Sequence, residues 1–107
     1  MPSNKNAYMR YKVLDECFRD WRRRYTWKRL LAAVNSELDR HSYTPVSEST
    51  IRADVEFLKS EEGGGIPLET LRDGHEVYMR YSDPDFSILQ QEITPREMQQ
   101  LTRQLRC

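Results

Sequence analysis

The chain has 107 residues, of which 37% are hydrophobic and 32% charged, and its 17 basic and 17 acidic side chains cancel to zero net charge. That length supports one domain with a modest core. The polar opening Met1–Asn6 leads into no apolar h-region, no run of about eighteen apolar residues occurs, and Cys17 and Cys107 alone make no disulfide framework, so a chain of the reducing cytoplasm with no membrane span is expected.

The zero sum hides an asymmetry. From Met1 to Leu30 nine Lys/Arg face three Asp/Glu, a net of +6, whereas Leu31–Ser60 carries −2 and Glu61–Cys107 carries −4. A basic face towards phosphate with an acidic remainder fits that distribution, and solvated helix surface is the plainer account.

Asn6 is a plausible N-cap for a first helix. Tyr11, Leu14, Phe18 and Trp21 follow at spacings of three and four, which predicts an aromatic-rich buried stripe. The helix is expected to stop between Arg19 and Arg23. Arg19, Arg22, Arg23 and Arg24 gather at this turn, where they suit a phosphate clamp or simply a soluble connector. Thr26 then caps a second helix, with Trp27, Leu30, Leu31, Val34 and Leu38 on one face. That helix is expected to run to about Arg40, because Tyr43-Thr44-Pro45 cannot continue it.

A third helix is expected over 47–60, with Ser47 as N-cap. Ile51, Val55 and Leu58 recur at i, i+4 and i+7, and the opposite face carries Ser49, Ala53 and Glu56 with Arg52 on one shoulder. A face this slim and polar suits entry into the major groove of DNA. Hydroxyls of Ser47, Ser49 and Thr50 would meet phosphates, Arg52 would read a base, and Ala53 would offer a methyl contact. An ordinary amphipathic helix with a solvated outer face accounts for the same pattern.

The run Gly63-Gly64-Gly65 after this helix is expected to supply a left-handed cap and a link. It lacks the Gly-Lys-Ser/Thr ending of a phosphate loop. Residues 66–81 read as a β-hairpin. With Asp73-Gly74 as its two-residue turn, Arg72 faces His75, Thr70 faces Val77, Leu68 faces Met79 and Ile66 faces Tyr81, and the alternate residues Ile66, Leu68, Thr70, Val77, Met79 and Tyr81 share one face. The tip places Arg72 and His75 within reach of a phosphate backbone, or leaves them as a solvated end. Ser82–Ser87 reads as an exit turn. Thr94-Pro95-Arg96-Glu97 forms a capping box for a last helix with Ile93, Met98, Leu101 and Leu105 as its stripe. His41 and His75 have neither metal-ligand spacing nor a catalytic partner, so no enzyme, metal or cofactor is expected.

Val46-Ser47-Glu48-Ser49-Thr50-Ile51-Arg52-Ala53-Asp54-Val55 resembles the recognition-helix signature of DeoR-type winged-helix regulators, which pairs Val-Ser with Thr-Ile-Arg and an Asp before an aliphatic residue. Ala53 stands where that pattern often has Arg. The chain from Asn6-Ala7 through Tyr81–Ile88 to the last helix is similar to the N-terminal region of bacterial WYL-domain transcription regulators, which often carry Arg where Glu48 and Ser49 stand. The resemblance implies a mainly α winged helix-turn-helix: a three-helix core, a two-stranded wing over 66–81 and a C-terminal linker helix. It divides the chain into a DNA-binding domain at 1–82 and a linker at 83–107 leading to a WYL-like domain outside this chain. It further implies double-stranded DNA as partner, a homodimer in the full-length protein, an effector sensed only through that further domain, and a cytoplasmic place of action at the nucleoid. A winged-helix module for protein interaction or dimerisation, without DNA binding of its own, is the alternative.

Overall fold

Leu14 and Phe18 are wholly inaccessible to solvent, and the first helix is built around them: α1 (Asn4–Arg19) packs on α2 (Trp27–Arg40), α3 (Glu48–Lys59) and the second strand of a hairpin. The computed structural model describes residues 4–88. The expected last helix with its Thr94 cap, and Cys107, lie outside the described residues.

The helix starts at Asn4, so Asn6 lies inside the first turn. Its Oδ1 accepts from Arg10 Nη1 at 2.7 Å instead of capping. The helix ends at Arg19, and Trp21 therefore leaves the predicted stripe. It is 41% exposed, its indole Nε1 donates to the Tyr81 carbonyl at 3.0 Å, and the Arg80 guanidinium lies 4.1 Å from its ring centre. The 3.6-residue period ceases to place a side chain once the helix has stopped.

Thr26 caps α2 as expected, accepting the Arg29 backbone N–H at 3.3 Å. Leu30, Val34 and Leu38 of α2 meet Leu14 and Phe18 of α1 and Ile51, Val55 and Leu58 of α3 in a single core. Each of these side chains contributes roughly 1.5–3 kcal/mol by leaving water. The turn between α2 and α3 is clamped from α2: Asn35 Nδ2 donates to the Val46 carbonyl at 3.0 Å, and Val46 N–H donates back to Asn35 Oδ1 at 2.8 Å.

At the end of α3, Gly63 sits where an added Cβ would lie 2.0 Å from the Phe57 carbonyl oxygen, so no larger residue fits beneath this helix end. The left-handed positions of the glycine run are Gly64 and Gly65, beyond the cap. The strands β1 (Leu68–Asp73) and β2 (Glu76–Tyr81) pair antiparallel with Leu68 opposite Tyr81, Thr70 opposite Met79 and Asp73 opposite Glu76. The two-residue turn is thus Gly74-His75, not Asp73-Gly74. Gly74 has φ +64° and His75 has no positive φ, which fits the II′ form with glycine first rather than the I′ form expected of Asp-Gly. Moving the turn by one residue shifts every partner by two, so the predicted faces survive although the partners do not. Met79 and Tyr81 are buried on the inner face. The loop before α2 adds one bridge to the sheet: Met79 N–H donates to the Tyr25 carbonyl at 3.1 Å.

Two buried carboxylates fasten the layers together. Asp54 of α3 accepts from Arg10 of α1 twice, from Nε at 2.6 Å and from Nη2 at 3.0 Å. Asp15 of α1, fully buried, accepts from the Tyr81 hydroxyl at 2.7 Å, the Ser87 hydroxyl at 2.9 Å and the Ile88 N–H at 3.0 Å. Burial, and then the bond to Asp15, push the Tyr81 phenol above its ordinary range.

Replacing Asp54 by Ala leaves Arg10 unpaired, and urea unfolding is expected to show a loss of about 3 kcal/mol. The double variant R10M/D54L is expected to recover most of it, because it removes both charges. Burial pushes the Cys17 thiol from an ordinary value near 9 up to about 12. The thiolate is therefore disfavoured in the fold, and the stability that this shift contributes is full below about pH 9 and is lost as pH rises towards 12. In a C107S background, Cys17 is expected to resist iodoacetamide at pH 8 until denaturant is added. Labelling of the folded protein at the rate of a free thiol would contradict this.

Candidate nucleic-acid interface

With Ile51, Val55 and Leu58 buried and Asp54 bound to Arg10, only one face of α3 is left for solvent. Ser49, Arg52, Ala53 and Glu56 lie on it, with Thr50 half-buried at its edge. The slim polar face read from the sequence is therefore the exposed one.

Its N-terminal end is a small hydroxyl cluster. Ser47 occupies the N-cap position, but its side chain makes no capping bond. Its Oγ instead lies 2.9 Å from Ser49 Oγ and 3.4 Å from Thr50 Oγ1. The first-turn N–H groups are then left without the expected side-chain acceptor, beside three hydroxyls that both donate and accept.

Arg52 is not extended into solvent. Its Nε and Nη2 each lie 2.9 Å from Glu48 Oε2, one turn earlier, and its guanidinium stands 4.5 Å over the Trp27 ring of α2. Trp27 is half-buried, so the indole acts as a shelf under the arginine and not only as a core residue.

A groove of about 340 Å³ joins this arginine to the wing. Thr26, Trp27 and Lys28 from the start of α2, Glu48 and Arg52 from α3, and His75 to Val77 from the wing line it. Two of the residues singled out in the sequence, Arg52 and His75, are thereby brought together from different elements. Arg72 is exposed on the wing opposite Val77 and forms no ion pair among the described residues.

The arginine cluster before α2 divides. Arg24 is tied to the wing, with Nη1 2.6 Å from Asp73 and 3.3 Å from Glu76 and its guanidinium 5.1 Å from the Tyr78 ring centre. It braces the loop against the hairpin. Arg22 is held by Asp20 at 3.2 Å, and Arg19 lies 3.8 Å from Asp15. Arg23 forms no ion pair among the described residues. The four arginines gathered at this turn are thus one strut, two paired side chains and one cation without an ion pair among the described residues.

Sequence reasoning passed over Lys28 and Arg29, which stand in the first turn of α2. The available signal was two basic residues immediately after the Thr26 cap and its following Trp. Among the described residues no group of three or more His, Cys, Asp or Glu is placed to hold a metal ion, and no helix is long and apolar enough to cross a membrane.

Three helices, an Asn35-clamped turn before the exposed third helix, and a hairpin whose tip lies beside it make a winged-helix arrangement. The family model for the N-terminal winged helix domain of WYL domain-containing proteins matches residues 6–81. The chain belongs to this family. No match was found among curated proteins or among solved structures. The matched span of this WYL N-terminal domain takes in all of α2, α3 and both strands of the wing, and with them every side chain that lines the groove.

The Asn35 clamp sets the start of α3. Asn35→Ala is expected to leave both polar groups of Val46 without a protein partner and to lower stability by about 1–3 kcal/mol in urea unfolding. Faster amide hydrogen exchange is expected in 43–50 than elsewhere. An unchanged exchange pattern would show that the turn holds without the clamp.

Proposed function

We propose that this chain is the DNA-binding domain of a transcription regulator, inserting α3 into the major groove with the wing along the backbone. The observation that carries the reading is the exposed Ser49–Arg52–Ala53 face of α3, whose Arg52 lines one groove with the His75 tip of the wing. An α-helix fits the major groove only if its outer face is narrow, and the side chains here are no bulkier than Arg52 and Glu56.

On this reading Arg52 is the base-reading side chain, and its pairing with Glu48 is its resting place. Swinging from Glu48 to a guanine edge exchanges one set of charge-assisted hydrogen bonds for another, and Trp27 supports the guanidinium meanwhile. The hydroxyls of Ser47, Ser49 and Thr50 and the N-terminal end of α3 meet phosphates, as do Arg72 and His75 on the wing. Glu48, Glu56 and Glu76 oppose phosphate, so a single domain binds weakly. A homodimer of the longer protein would set two α3 helices on half-sites one helical turn apart, and an effector would act through a following WYL domain. The place of action is the cytoplasm at the nucleoid, and the domain works by binding without catalysis.

The second reading is a protein-interaction module. What favours it is the neutralisation of Arg52 and Arg24 by the chain's own carboxylates together with the zero net charge.

Fluorescence anisotropy on duplexes enriched from a random library separates the two. Arg52→Ala is expected to reduce discrimination between enriched and scrambled duplex by about 1–3 kcal/mol. Glu48→Gln is expected to tighten binding several-fold, by freeing Arg52 and removing a negative charge. Failure of either substitution to change DNA binding, with the oligomeric state unaltered, would favour the interaction module.

A further inference from the structure

A second concavity lies between the loop before α2 and the first turns of that helix. It has a volume of about 750 Å³, and Arg22, Arg23, Arg24, Tyr25 and Arg29 line it together with Ala32 and Ala33. No carboxylate is among its lining residues, which is unusual in a chain whose positive and negative charges are equal in number. Asp20 holds Arg22, and Asp73 and Glu76 hold Arg24, but these acids are not part of the wall.

Arg23 and Arg29 form no ion pair among the described residues. Arg29 is nevertheless positioned: its Nη1 donates to the Arg24 carbonyl at 2.7 Å, which fixes the guanidinium and leaves its remaining donors available. On the α2 side the small Ala32 and Ala33 side chains line it, so a sugar-phosphate chain can approach the helix closely. Forked guanidinium donors suit the paired oxygens of a phosphodiester better than a point cation would.

The position of the cavity selects the source of that phosphate. Residues 22–25 and 29 line it, whereas 26–28 line the groove that holds Arg52. The two concavities thus flank the first turn of α2, one on each side. We propose that the arginine-lined cavity seats backbone phosphates of the same duplex, outside the base pairs reached by α3, and so lengthens the footprint of the domain. This inference rests on the DNA-binding reading above and assigns a task to Arg29, which that reading leaves unused.

The test is a salt titration of the full chain on an enriched duplex and on its scrambled counterpart. R23A/R29A is expected to reduce the slope of log Kobs against log salt by about 1.8, two phosphates at roughly 0.9 each, with the ratio of affinities for the two duplexes unchanged. R23K/R29K, which keeps the charge, is expected to restore most of the slope. Both sites are exposed, and thermal melting by circular dichroism checks that the variants fold. An unaltered slope in R23A/R29A, with discrimination lost in R52A, overturns the cavity proposal and leaves the DNA reading standing. Binding of inorganic phosphate that depends on Arg23 and Arg29 while the DNA slope stays fixed overturns it too. No effect of R52A or of R23A/R29A on DNA removes both.

Discussion

The bidentate contact between Arg10 and Asp54 decides which way the third helix faces. An aliphatic stripe alone tolerates some rotation of a helix about its axis, because apolar contact has no direction. A buried carboxylate does not tolerate it. Asp54 is 6% exposed, and only one rotation of α3 brings it to the guanidinium on α1. Any other leaves a charge in the core without its partner, at a cost of several kcal/mol. With that rotation fixed, Ser49, Arg52 and Ala53 have to face solvent, and Glu48 and Trp27 have to lie within reach of Arg52. The candidate interface is the remainder once the core and this ion pair have taken what they need.

How much of this was legible in the residues varies with the range of the interaction involved. The stripes of α2 and α3 are local and periodic, and they place Leu30, Val34, Leu38, Ile51, Val55 and Leu58 correctly. The hairpin was legible in its faces and not in its partners. Asp-Gly and Gly-His are both admissible two-residue turns, and choosing between them needs the backbone angles of Gly74, which alternation does not encode. Trp21 was misplaced because a period was carried past the end of its helix. Ser47 stands at the cap as read, but neighbouring hydroxyls outcompete the backbone for its oxygen.

The site was harder to read than the fold. Arg24 and Asp73 are 49 residues apart in the chain, and Arg52 and Trp27 meet across two helices. Sequence spacing says nothing about either contact. A count of arginines at the turn before α2 therefore overstates the free charge there, since Asp15 and Asp20 hold Arg19 and Arg22 locally and the wing acids Asp73 and Glu76 hold Arg24. The same blindness hid Arg29, whose side chain turns back towards the loop before it. Charge that survives pairing is the relevant quantity for a polyanion, and it becomes visible only when the elements are assembled. The basic first third of the sequence accordingly names the segment that supplies these arginines but not which of them stay unpaired once the elements are assembled.

Asp15 has a consequence of a different kind. Its Oδ1 receives both the hydroxyl of the last wing residue, Tyr81, and the N–H of Ile88, where the described chain ends. The root of the wing and the outgoing strand of polypeptide are therefore moored to a single atom inside α1. The position of Ile88 and the base of the hairpin are thus set by one shared carboxylate, so a change at either is a change in what that carboxylate holds.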